Sequence, residues 1–244
     1  ALLVLGVVAP FALPTFLVQL TFLWIMIVFA LCWDILGGQM GYNSFGNIAF
    51  FGIGVYTATI VQIGLYQDVA AYTAAAGMQT ISLTPDQYFT GLFVGLAAAP
   101  LLAVAVAALL GFALLGLRGH YFAIATLGLG IAAGELAAAW TFIGGSSGVQ
   151  VPVYPGSLES GRLLFYFLSA GLGVATFVTL RWLYTTRFGL AMNAIRDDED
   201  KAEALGLRTT RYKVIAWCIG AVFLGLAGGL VGQIIGFIDP REVA

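Results

Sequence analysis

Six stretches of this chain run for about 20 residues or more with almost no charge, the length a helix needs to cross a bilayer at 1.5 Å per residue. They cover residues 15–37, 47–66, 89–117, 120–142, 162–184 and 213–237. In hydrocarbon every backbone polar group must be satisfied within its own segment, so such stretches are helices. Residues 1–13 are also apolar, but they are short and bounded by Pro10 and Pro14. Charged residues make up 9% of the chain and mean hydropathy is +0.98. A soluble domain carries about 25% charge, so this chain cannot cover a water-facing surface. The reading is all-α: a polytopic transmembrane helical bundle, one membrane domain over residues 1–244. Because the chain starts inside one apolar run and stops soon after another, it reads as incomplete at one or both ends. Nothing at the start reads as a signal peptide.

Charge placement orients the bundle. Seven of the ten Lys/Arg residues and five of the twelve acids lie between Arg181 and Lys213. The segments 67–88 and 143–161 contain no Lys or Arg, whereas Arg118 lies in the turn between two spans. Positive loops stay on the cytoplasmic side. The turn 118–120 and the loop 184–212 are therefore predicted to be cytoplasmic, with 67–88 and 143–161 outside and Arg162 snorkelling at the outer interface.

Within the charged island, residues 187–205 have helical spacing, with Phe188, Leu190, Ala191, Ala194 and Ile195 on one apolar stripe. Asp197–Asp200 supply an acidic turn, and Gly206 suits a helix C-terminus. One or two short amphipathic helices result. Such a helix fits a partner's groove or lies on a membrane surface, and spacing alone supports both.

The segment Gly37–Asn47 (GGQMGYNSFGN) is too rich in glycine and polar side chains for a lipid-facing helix. Broken backbone in a transporter often lines a path, which makes Asn43, Ser44 and Asn47 path candidates. A simple turn joining two spans is the competing reading. Asp34 and Glu135 are acids inside spans, functional candidates by default. Asp34 sits beside the break, where solvation or capping would satisfy it; Glu135 needs a partner or a cavity. Thr126, in the TLGLG run 126–130, and the aromatic residues Phe50, Phe51, Tyr56 and Phe122 are candidate path residues or ordinary packing. His120, the single histidine, reads as interfacial, and with two distant cysteines, Cys32 and Cys218, it builds no zinc site. The cysteines read as buried free thiols. Gly128, Gly130 and Gly134, like Gly225, Gly228, Gly229 and Gly232, have the spacing of close helix packing.

Four blocks carry a resemblance. RFGLAMNAIRDDEDKAEALGL, GYNSFGNIAFFGIGVYTA, LRGHYFAIATLGLG and FIGGSSGV, over roughly residues 15–240, resemble branched-chain amino acid ABC transporter permeases of the LivM type, in the LivH/LivM superfamily. The chain departs from that pattern near Tyr42 and Asn47, where the family commonly has Gln and His. The resemblance implies a permease domain in which 184–212 is a coupling loop docking on an ATPase. Arg187, Phe188, Gly189, Ile195, Arg196, Asp197, Glu199, Glu203 and Gly206 are then the coupling residues. It also implies a second homologous permease, two ATPase subunits and an extracytoplasmic substrate-binding protein as partners, in a bacterial or archaeal inner membrane, with no nucleic acid involved. The loop GGSSGVQVPVYPG is a candidate contact for that binding protein. The chain contains no G-x-x-x-x-G-K-[ST] loop, so no cofactor is expected in it, and ATP and Mg would be bound by the partner ATPases.

The function expected is thus a membrane subunit of an ATP-driven importer for branched-chain amino acids, or for urea, amides or aromatic acids. A self-sufficient channel or secondary transporter using Asp34 and Glu135 is the competing class. An intramembrane enzyme is the weakest, since no nucleophile–base pair is evident.

Overall fold

Residues 2–75 and 82–240 are described by a computed structural model. Among them are ten α-helices: α1 (Leu2–Ala12), α2 (Leu17–Met40), α3 (Asn47–Gly64), α4 (Val69–Ala74), α5 (Pro85–Leu114), α6 (His120–Ala139), α7 (Leu158–Tyr184), α8 (Arg187–Asp197), α9 (Glu199–Ala204) and α10 (Thr209–Ile235). A two-residue antiparallel pairing joins β1 (Val149–Gln150) to β2 (Phe237–Ile238), with Val149 opposite Ile238. Six helices, α2, α3, α5, α6, α7 and α10, are long and apolar enough to span a membrane, and they are the six expected from hydropathy.

Local chemistry moves their boundaries. α5 starts at Pro85 inside the expected loop because Thr84 and Gln87 form a reciprocal capping box with proline at the first helical position. The same loop contributes α4, started by the Asp68 side chain accepting from the Ala71 N–H at 3.1 Å; its residues 76–81 lie outside the described part. α7 starts at Leu158 because Ser157 caps it. Pro100 sits inside α5 without ending it.

The core is the trio α3, α5 and α10, packed backbone to backbone. A methyl group on Gly54 would collide with the Gly225 backbone, and one on Gly228 with the Phe51 carbonyl. Glycine at these crossings is what allows helices to meet without an intervening side-chain layer. The glycines of α6 behave differently. Gly128 has no atom within 4 Å of an added Cβ, and Gly130 meets only Ile48 and Phe45. Close packing is therefore right for α10 and wrong for Gly128 within this chain. Accordingly, 67% of the α10 span window is buried and only 17% of the α6 window.

The loops sort into two ends, as their charges predicted. Arg118 reaches Glu199, Asp200 and Glu203, which puts the α5–α6 turn beside the island. At the other end Tyr72 donates to the Gln150 carbonyl at 3.0 Å, which joins the two loops that lack positive charge.

Candidate functional site

The charged island folds as two short helices. Thr186 caps α8 by accepting from the Phe188 N–H at 3.2 Å. Asp198 is extended (φ −163°), ends α8, and caps α9 by accepting from the Lys201 N–H at 3.0 Å. Hydrogen bonds from Lys201 hold the Asp198 carboxyl below the usual carboxylate range. Gly206 closes α9 with φ +88°, the left-handed position glycine serves best. The acidic turn and the terminal glycine are where the sequence puts them.

The apolar stripe of α8 does not wait for a partner. Gly189, Ala191, Met192 and Ile195 are buried against this chain's own bundle, and Phe188 packs on Tyr212 with ring centroids 5.3 Å apart. Gly189 is needed for this: a Cβ there would collide with the Tyr184 backbone. A groove-filling stripe was expected, and the structure corrects it. The faces left outward carry Arg187, Arg196, Asp197, Glu203 and Gly206. Between them stand two large apolar side chains, Leu190 at 68% and Leu205 at 86% exposure. Glu199, expected in the outward set, turns inward.

There it meets the glycine-rich break. Met40 ends α2, Gly41 caps it at φ +74°, and residues 42–46 run without helix to α3. Burial alternates along this run. Tyr42, Ser44 and Gly46 point inward, while Asn43 and Phe45 point outward, as an extended backbone requires. The Tyr42 hydroxyl donates to Glu199 Oε2. Lys213 Nζ donates to Glu199 Oε1 at 2.8 Å and to the Tyr42 oxygen at 3.1 Å, and lies 4.4 Å from the Tyr42 ring centroid. Arg118 Nε is 3.6 Å from Glu199 Oε2. Burial opposes ionisation of Glu199, but the hydrogen bonds from Lys213 and Tyr42, with the lysine charge, hold its carboxyl below the usual range. Burial, followed by the bond to Glu199, pushes the Tyr42 hydroxyl up.

Other ties bind the same elements. Arg196 donates to the Gly38 carbonyl at 3.4 Å. Asp34 accepts from Gln39 at 3.3 Å and from Tyr184 at 3.1 Å, so side chains satisfy it. On the far side of the break, the Phe45 N–H donates to Thr126 Oγ1 at 3.1 Å, and Thr126 itself bonds back to the Phe122 and Ala123 carbonyls. Ser44 Oγ and Asn47 Nδ2 are buried with no hydrogen-bond partner among the described residues, as is Trp217 Nε1.

The remaining candidates separate. Phe50 and Phe122 are fully buried against Trp217, with centroids 5.0 and 6.0 Å away, and Phe51 packs on Phe29 at 5.0 Å. Tyr56 lines an apolar cleft of about 680 Å³ between α3, α5 and α6. Glu135 is exposed on α6, forms no ion pair or hydrogen bond among the described residues, and borders a cleft of about 560 Å³ with Phe45, Ile48 and Ser146. His120 is exposed at the start of α6. Cys32 is buried and Cys218 half-buried, both free. Sequence reasoning omitted Tyr42, Lys213 and Arg118 from the site. Lys213 carried a usable signal: a lysine at the edge of an apolar span is costly to bury without a partner.

A bundle of six spans, tied to a two-helix charged loop, is the architecture of a transport subunit. The profile of the family described as "Branched-chain amino acid transport system / permease component" matches residues 16–244. The chain belongs to this family. It is 31% identical over 270 aligned residues to the high-affinity branched-chain amino acid transport system permease protein LivM of Escherichia coli (strain K12), covering 99% of this chain and 58% of that protein. LivM of Salmonella typhimurium gives the same identity and coverage. LivH of Salmonella typhimurium is 30% identical over 89 residues, 35% of this chain and 29% of LivH. The chain thus spans somewhat over half the length of the LivM proteins it matches. No solved structure matches it significantly. As a member of this permease family the chain is a multi-pass membrane protein.

Proposed function

We propose that this chain is the membrane-spanning subunit of an ATP-driven importer that carries branched-chain amino acids across the inner membrane of a bacterial or archaeal cell. The carrying observation is the island. A bundle this apolar builds, at one end, a rigid two-helix platform with Leu190 and Leu205 held out in water among charges. Two exposed leucines on ordered helices are anchors for a soluble partner's groove. The partner is the ATPase, docking on the outward face that carries Arg187, Arg196, Asp197, Glu203 and Gly206. Phe188, Gly189 and Ile195 hold that platform to the bundle. ATP and Mg are bound by the ATPase subunits, since this chain has no phosphate loop.

The other expected partners follow the same reading: a second homologous permease, two ATPases, and an extracytoplasmic binding protein meeting the uncharged end. Ser44 and Asn47, buried with open hydrogen-bonding capacity, line the inner part of the path, with Asn43 at its mouth. Phe51, Thr126 and Glu135 lie on the two helices that flank it. Transport follows alternating access, driven because the ATPases bind the two states of the bundle with different affinity.

Reconstitution in proteoliposomes with and without the ATPase subunits tests the reading. Uptake of tritiated leucine is expected only with ATPases and ATP inside the coupling side. Uptake by the chain alone, without ATP, overturns it in favour of a channel or secondary carrier.

A further inference from the structure

The break and the island are 157 residues apart at their point of contact, Tyr42 and Glu199. Each oxygen of the Glu199 carboxylate serves a different element: Oε1 accepts from Lys213 on α10, and Oε2 accepts from Tyr42 in the break. Lys213 closes the triangle by donating to Tyr42. The lysine side chain is 2% exposed and the glutamate 12%, so water cannot readily replace either partner. We propose that Glu199 and Tyr42 form a strut that transmits displacement of the coupling helices to the broken segment, and through it to α6. This rests on the importer reading above.

The packing says which parts can respond. α3, α5 and α10 interlock at Gly54, Gly225 and Gly228, where backbones touch, so these three move as one body. α6 is the least buried span. Its first turns meet the break twice, through the Phe45 N–H on Thr126 and through the Tyr42 ring packed edge-on against Phe122 at 5.4 Å. Lys213 fixes one corner of the triangle to the rigid trio. Glu199 rides on α9, which carries the outward Leu205. When the docked partner shifts α9, the Glu199 carboxylate either drags Tyr42 or gives up a buried, charge-assisted bond. The loss of that bond is the larger cost in a site closed to water, so the break follows. Glu199 and Tyr42 are positioning residues, acting through the backbone of residues 42–46 without touching cargo.

The test uses the full chain in its assembled complex in proteoliposomes, with tritiated leucine and ATP. Tyr42→Phe removes one hydroxyl and keeps the ring; Glu199→Gln removes the charge. Complex assembly and basal ATP hydrolysis are expected to stay near wild type. Leucine uptake and the stimulation of hydrolysis by leucine-loaded binding protein are expected to fall about tenfold, the scale set by one hydrogen bond to a charged group. The double variant is expected to be no worse than Glu199→Gln alone, because both changes cut one strut. Tyr166→Phe, which removes a bond from α7 to the Gly6 carbonyl, is the comparison: it should lower thermal stability without changing stimulation. Wild-type uptake in Tyr42→Phe overturns the strut, and so does a loss of uptake that merely tracks lost assembly or stability. ATP-independent uptake by the unmodified chain overturns the importer reading itself, a separate outcome.

Discussion

Lys213 Nζ lies 2.8 Å from Glu199 Oε1, and the two sides of this pair are not equally protected: the lysine is 2% exposed and the glutamate 12%. Removing a partner from a buried pair costs most when the charge left behind has nowhere to go. Glu199→Gln strands Lys213 with only the Tyr42 oxygen. Lys213→Met leaves Glu199 with Tyr42 and Arg118. Thermal unfolding in detergent should therefore show Glu199→Gln destabilised by about 3 kcal/mol and Lys213→Met by less. The paired Glu199→Gln/Lys213→Met variant should recover part of the loss. Equal costs for the two single variants would contradict this asymmetry.

The same carboxylate sets a pH dependence. Its folded-state value lies below the ordinary 4.5. As pH falls, the unfolded chain takes up the proton first, so the stability Glu199 contributes is complete above the ordinary value and is lost as pH falls through the depressed one. Thermal midpoints should hold from neutral pH to about 5 and drop below about 4.5. In Glu199→Gln that portion of the drop should vanish. An identical pH profile in the variant would place the acid sensitivity elsewhere.

Gly228 and Gly128 have the same spacing signature and opposite surroundings. A methyl on Gly228 meets the Phe51 carbonyl; one on Gly128 meets nothing within 4 Å. Gly228→Ala should separate α3 from α10 and cost at least about 2 kcal/mol, in the range of overpacked cores. Gly128→Ala should leave the isolated chain unchanged in detergent. Should Gly128→Ala weaken association with the second permease while sparing the isolated chain, the open glycine belongs to that interface.

Leu190 and Leu205 are the island's outward apolar side chains. Leu205→Asp should reduce co-purification of the ATPase subunits by tenfold or more, roughly the 1.4 kcal/mol or greater loss of a well-packed anchor. Membrane insertion and thermal stability should not change, since the side chain touches little of its own chain. The paired charge reversal Arg196→Glu/Glu203→Lys is a milder probe, because Arg196 also holds the Gly38 carbonyl and Glu203 also accepts from Thr209 at 2.6 Å. Undiminished co-purification of Leu205→Asp would remove the docking face.

Thr126 offers a check on the other side of the break. Thr126→Val keeps the shape and leaves the Phe45 N–H without its acceptor, while Thr126→Ser keeps the oxygen. Uptake should fall in the first and persist in the second. Equal uptake in both would show that the Phe45–Thr126 bond does not hold the path.

Much of the fold is written in local chemistry. A run of 20 or more apolar residues has only one way to satisfy its backbone in lipid, so all six spans are legible from hydropathy. Asp198 and Gly206 are legible as a helix start and stop because capping depends on residues a turn apart. The distribution of Lys and Arg separates the two ends correctly for the same kind of reason: it is a property of each loop taken alone.

What tertiary structure alone decided is which face meets what. The periodicity of α8 gives an apolar stripe, but not whether a partner or the chain's own bundle covers it; the bundle does. The small-residue spacing of α6 and α10 is alike, yet only α10 is pressed between two helices. Above all, Tyr42, Glu199 and Lys213 are unremarkable one at a time, and nothing local ties a tyrosine in a glycine-rich turn to a carboxylate 157 residues later. Only the packing of α9 and α10 against the break makes a buried charge affordable there, because each of the three side chains supplies the partner that the other two would otherwise lack.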